Sequence, residues 1–227
     1  MYICYVMYDN VIDEKKELRL SIACSLLLTT LPWVVHILNV VFSLRLNRYG
    51  LRPLEPEGLA GIFTMPFLHS GWGHLISNTP ALLLLVFGLL LFYKHAAWRI
   101  LLYLYILSGL FTWLMGRDST HVGASGLVYA LAAFHFLSGV IKNVPRQRAF
   151  AMLVAFLYGG FIWAFFPTLY SGTSISWEGH LSGLLTGIIL AVYFRQEGPE
   201  PPVYPFLEDD DDEKSDEDED IQSCDGN

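Results

Sequence analysis

Apolar residues group into six long runs, at 20–43, 73–93, 98–116, 125–141, 149–167 and 177–194. Each holds no more than an isolated formal charge, and none has the polar face at helical period that a soluble amphipathic helix needs. A helix needs about 20 mostly apolar residues to cross the hydrocarbon core. In lipid every backbone N–H and C=O must be paired within the structure, so runs of this length predict spanning helices. The alternation of a β-barrel is absent. The pattern therefore predicts an all-α membrane protein with six transmembrane helices. The first run is too long for a cleaved signal peptide, and no small-x-small site follows it, so it reads as an anchor. No internal repeat of the transporter kind is visible.

The connections differ. Residues 44–72 hold Pro53, Pro56, Pro66 and several glycines, too long a link for a plain turn, so local structure is expected there. Asn143-Val144-Pro145 predicts a tight turn. Residues 196–227 open with Pro199, Pro201, Pro202 and Pro205 and continue as a block of like charge. Such a segment cannot bury a core and is expected to be a disordered tail. This divides the chain into an N-terminal segment (1–19), a six-helix domain (20–195) and the tail (196–227).

Charge sharpens this division. The formal net charge is −8, but residues 197–227 hold 14 of the 22 acidic groups against one basic residue, Lys214, so the tail carries −13 and the body +5. The body lacks the dense Lys and Arg cluster of a nucleic-acid-binding protein. Three scattered cysteines, Cys4, Cys24 and Cys224, suggest neither a disulfide framework nor a zinc site. With the N-terminus inside, inner segments hold ten Lys and Arg and outer segments four. The positive-inside rule then places both termini in the cytoplasm.

Ionisable and polar residues at membrane depth are costly, and each is a candidate site. The second, fourth and sixth spans share one direction, so their N-terminal ends lie at one outer level. There stand His74 and Asn78, Ser125, and His180. Ser125, in Gly123-Ala124-Ser125-Gly126, reads either as a helix N-cap or as a nucleophile at a helix end whose free N–H groups suit an oxyanion. Gly179, Gly183 and Gly187 recur every four residues, a stripe that lets another helix pack closely. If that neighbour is the fourth span, His180 meets Ser125, and a serine beside a neutral imidazole is the minimal activated nucleophile. Tyr129, one turn after Ser125, is placed to stack on that imidazole. No acidic third member is evident: Glu178 points elsewhere on the helix, and Asp118 lies in a loop. His74 and Asn78 share a helix face, either as interhelical hydrogen bonders or as oxyanion donors, with His69 supporting the loop upstream. His36, His95, His121 and His135 read as structural or interfacial. His69, His74 and His180 could be imagined around a metal, but no HExxH motif or acidic ligand accompanies them, so no metal or cofactor is expected.

Together these residues resemble the rhomboid family of intramembrane serine proteases. The match covers roughly 15–195. It rests on GxSG as Gly123-Ala124-Ser125-Gly126, on HxxxN as His74-Leu75-Ile76-Ser77-Asn78, and on a GHxxG-like Gly179-His180-Leu181-Ser182-Gly183, in the family's order. The chain departs from many members in lacking a Trp-Arg pair in the first outer loop. With no seventh apolar run, the resemblance is to the compact bacterial-type form. It implies a six-helix rhomboid-like bundle in a bacterial inner membrane. Ser125 would be the nucleophile and His180 the base. His74, Asn78 and the Ser125 N–H would form the oxyanion hole, with Tyr129 packed on His180 and Gly123 beside the nucleophile. Single-pass membrane proteins in the bilayer would be the substrates, and the loop at 168–178 a movable cap. A non-cleaving rhomboid-like client binder and a transporter are the alternatives. Since the tail is expected across the membrane from the site, deleting residues 199–227 should leave specific activity on a transmembrane substrate unchanged.

Overall fold

The computed structural model of the chain describes residues 2–160 and 176–200, with side chains from residue 15. Among the described residues six α-helices form: α1 (Tyr2–Val41), α2 (Gly61–Thr64), α3 (Trp72–Met115), α4 (Ser125–Lys142), α5 (Pro145–Tyr158) and α6 (Trp177–Tyr193). No strand occurs among the described residues; one isolated bridge joins Leu51 to His121. The expected cap loop lies outside the described residues up to 175, as do the end of the fifth run and the tail from 201.

α3 holds 44 residues. Straight, it would be about 66 Å long, more than twice the hydrocarbon thickness. It breaks at Lys94, whose φ of 40° and ψ of −110° are not helical. The two arms, 72–93 and 95–115, are the second and third spans, joined by one residue where the sequence suggested a short loop. Lys94 Nζ also pairs with Glu17 Oε2 of α1 at 2.6 Å. With α1, α4, α5 and α6 these arms make an all-α, six-armed bundle.

α1 begins at Tyr2, well before its apolar run, because no Gly or Pro interrupts the chain before Pro32. Its polarity is reversed relative to a soluble helix. Ser21, Ser25, Thr29 and His36 are buried, whereas Leu26, Leu27, Leu31, Val34, Ile37 and Val41 are exposed. That outward apolar face marks a lipid-facing surface. Trp33 Nε1 donates to Thr79 Oγ1 at 3.0 Å, tying α1 to the first arm of α3. The spans Lys15–Val41, Trp72–Met115 and Ser125–Lys142 are each long and apolar enough to cross a membrane.

The link between α1 and α3 is structured, as its length required. Single helical turns at Leu46–Tyr49, Pro56–Ala60 and Met65–Phe67 flank α2. Trp113 Nε1 donates to Glu55 O at 3.0 Å, and the Tyr105 hydroxyl donates to Phe63 O, so this link is seated on the second arm of α3. The tight turn at 143–145 forms too: Asn143 takes the left-handed conformation, and Pro145 opens α5.

α4 is the centre, packed against α3, α5 and α6. His135 Nε2 donates to Leu85 O at 2.9 Å, and Gln147 Nε2 donates to the Tyr93 hydroxyl at 2.7 Å, so these buried polar groups join neighbouring helices. The closest packing is between α4 and α6. A Cβ on Gly183 would run into the Gly126 carbonyl oxygen, and one on Gly187 would lie 2.7 Å from Ala133 Cβ. The glycine stripe read from the sequence thus faces α4. Gly183→Leu should force the two backbones apart, at a cost of about 1–3 kcal/mol or more. The expected result is a lowered thermal midpoint in detergent, with α1 exchange protection unchanged.

Candidate active site

The N-terminal ends of α3, α4 and α6 meet at one end of the bundle. Ser125 is the first residue of α4 and is half-buried. Ala124, not Ser125, holds the N-cap position, and no side chain caps this end. The cap reading of Ser125 therefore does not hold. The first N–H groups of α4 lack intrahelical acceptors, as at any helix start.

His180 lies in the first turn of α6, buried. Its ring stacks on Tyr129 of α4, with centroids 4.2 Å apart and planes within 16°. Beside this stack the backbones approach: a Cβ on Gly126 would sit 3.2 Å from the Gly179 carbonyl oxygen. Gly126 follows Ser125 and Gly179 precedes His180, so the serine and the histidine flank this approach of the two helices.

His74 and Asn78 sit on one face of α3, one turn apart. A Cβ on Gly123 would collide with the His74 ring, 2.7 Å from Nε2. Gly123 also has φ of +119°, which only glycine adopts without strain. Glycine there serves both the turn into α4 and the contact with His74. Gly123 N–H donates to Met65 O at 2.9 Å, holding the turn to the α1–α3 link. Ser70 Oγ lies 3.2 Å from His74 Nδ1.

His69 is almost fully buried, 5.1 Å from the His74 ring, edge to face. Asn78 Nδ2 is 3.3 Å from His69 Nε2. An amide nitrogen only donates, so Nε2 accepts, and the neutral ring carries its proton on Nδ1. Burial pushes the His69 pKa down to about 4, reinforced by His74 and opposed by the Phe67 carbonyl. Among the described residues no three His, Cys, Asp or Glu side chains form a group able to hold a metal.

Residues 56–197 match the Rhomboid domain family. The chain belongs to the rhomboid family. It is 34% identical to an uncharacterized protein of Mycobacterium tuberculosis over 168 residues, 71% of this chain and 70% of that one. Rhomboid-like protein 11, chloroplastic, of Arabidopsis thaliana is 30% identical over 149 residues, 56% of this chain and 49% of its own. Rhomboid-related protein 1 of Caenorhabditis elegans is 34% identical over 131 residues, covering 54% and 36%. This rhomboid protein is accordingly an integral membrane protein.

A further polar group, unmarked by any motif, lies beside the site. Glu178, expected to point elsewhere on the helix than His180, is buried and pairs with Arg117 Nε at 3.6 Å. His121, read as structural or interfacial, has Nδ1 2.6 Å from Ser176 Oγ. The only signal was position, four residues before Ser125 and two before His180. His36 meets Trp72 edge to face at 4.6 Å.

His69 sets a pH limit. Its pKa is about 4 folded against 6.5 in the unfolded chain. Between those values the unfolded chain binds more protons, so stability rises with pH. The contribution is complete above about pH 6.5 and is lost as pH falls toward about 4. Thermal unfolding in detergent should show a falling midpoint across that window, flattened in His69→Phe.

Proposed function

We propose that this rhomboid protein is an intramembrane serine endopeptidase with a Ser125–His180 dyad. The observation that carries the reading is the Tyr129–His180 stack beside the Gly126–Gly179 approach. It holds an imidazole next to the start of the serine-bearing helix, with its ring plane constrained. A serine hydroxyl is a weak nucleophile until an adjacent base takes its proton.

In this reading Ser125 Oγ attacks the scissile carbonyl carbon while His180 accepts the hydroxyl proton. The carbonyl oxygen becomes an oxyanion. The Ser125 N–H at the start of α4, His74 and Asn78 donate to it. A primary amide has two N–H groups; His69 takes one of Asn78's, leaving the second for the oxyanion. With the Ser70 hydroxyl donating to His74 Nδ1, the proton of His74 sits on Nε2, the edge turned toward the Gly123 turn. Collapse of the intermediate expels the amine with the proton from His180. Water, deprotonated by the same histidine, then releases the acyl group.

The substrates are single-pass membrane proteins, cut near the outer leaflet of a bacterial inner membrane. Both termini of the protease lie in the cytoplasm, as the excess of Lys and Arg in the inner segments supports.

The test is labelling of the full chain in liposomes with a fluorophosphonate, followed by cleavage of a model transmembrane substrate. Wild type should label and Ser125→Ala should not. His74→Ala or Asn78→Ala should lower kcat by roughly 10²–10³. Equal labelling of wild type and Ser125→Ala would sink the reading. Wild type that binds the substrate without labelling or cleaving would favour a client-binding rhomboid instead.

A further inference from the structure

Tyr129 constrains the plane of the His180 ring; the backbone that carries His180 is held from a second direction. The segment 116–124, which enters α4, is fastened to the start of α6 in two places. The first is a hydrogen-bond chain of fixed direction. His121 Nε2 lies 3.1 Å from Arg117 O, a carbonyl that can only accept, so Nε2 carries the proton. In the neutral ring Nδ1 is then an acceptor, and the Ser176 hydroxyl, 2.6 Å away, donates to it. The Ser176 oxygen in turn accepts from Gly179 N–H at 3.2 Å, the N-cap bond of α6. Burial lowers the His121 pKa, favouring this neutral form; the Arg117 carbonyl and the Glu178 charge oppose the shift, and the Arg117 guanidinium charge adds to it.

The second fastening is the buried Glu178 carboxylate, 3.6 Å from Arg117 Nε. Arg117 therefore takes part twice, through its carbonyl and its guanidinium. The segment itself is anchored from behind. His121 N–H donates to Leu51 O at 2.8 Å, and Leu51 N–H returns to His121 O at 3.0 Å. His121 lies four positions before Ser125, and Ser176 and Glu178 stand in the turn that delivers His180.

We propose that Arg117, His121, Ser176 and Glu178 form a polar clamp that positions His180 against Ser125. His121 and Glu178 act as positioning residues for the base. The clamp rests on the serine-protease reading of the same site. It supplies the orientation that an aspartate gives the imidazole in a triad, but through the backbone of α6 and not through a bond to the ring. Outer partners of this kind decide geometry, and small displacements of reacting groups are costly to rate.

The experiment uses the full chain in liposomes, comparing wild type, His121→Ala, Glu178→Gln and Arg117→Lys. Amide hydrogen exchange over 176–182 reports the clamp without reference to activity. The fluorophosphonate labelling rate of Ser125, with kcat and KM on a transmembrane substrate, reports positioning. His121→Ala and Glu178→Gln should speed exchange at 176–182 while 184–192 stays protected. They should also lower kcat and the labelling rate by about 10–100-fold, with KM changed less than about twofold. Arg117→Lys keeps the charge and should recover most of the rate. Should His121→Ala fail to fold, His121→Asn takes its place with the same expectation.

Folded variants with wild-type exchange and kcat would overturn the clamp. A fall in kcat matched by an equal rise in KM would overturn the positioning role. Wild type that neither labels nor cleaves would instead overturn the serine-protease reading on which the role depends. That result is distinct, because it appears before any variant is compared.

Discussion

Two helix backbones in near contact are the constraint on which this site depends. α4 and α6 meet through Gly126, Gly179, Gly183 and Gly187, with the Gly126 carbonyl where a Cβ of Gly183 would be. In lipid there is no hydrophobic gain from hiding apolar side chains, because the tails outside are as apolar as leucine. Helices associate instead through close packing, and small residues permit it. That packing brings the first turn of α6 to the first turn of α4. Larger residues along the stripe would leave the same side chains on the same helices with no common site.

The second arrangement is the convergence of three helix starts. Each start offers backbone N–H groups without intrahelical acceptors and a partial positive charge. These features suit an anionic intermediate, and they are supported by polar side chains with assigned partners. His69 accepts from Asn78, Ser70 faces His74, and His121 links Arg117 to Ser176. Such groups are tolerable at this depth because their polar atoms find one another. The exposed surface is the inverse, with leucine, isoleucine and valine on the outside of α1.

Much of the fold was legible because membrane spans are written locally. A run of apolar residues long enough to cross needs no distant partner to become a helix. The turn at Asn143-Val144-Pro145 was readable for the same reason, from left-handed tolerance at Asn143 and a fixed φ at Pro145. The break at Lys94 was readable only as a gap between apolar runs. Nothing in the residues around it announced a single-residue joint, which the pairing with Glu17 of α1 helps to hold. The extension of α1 back to Tyr2 lay hidden because the apolar run, not the helix, was the visible signal.

The sequence alone determined the class of the protein: a helical membrane body with an acidic tail, GxSG, HxxxN and GHxxG motifs in rhomboid order, and glycines spaced for close packing. These depend on composition, on period and on spacing along one strand of text. The tertiary structure alone decided which glycine met which carbonyl and that Ala124 and not Ser125 occupies the cap. It decided as well that Tyr129 lies flat on His180 and that Glu178 turns inward to Arg117. Those contacts join residues tens of positions apart, such as His121 and Ser176. No local preference encodes them, because their energies arise only once several helices have already packed. The −13 tail and +5 body divided the chain in the sequence; only the folded body shows where within it the polar atoms meet.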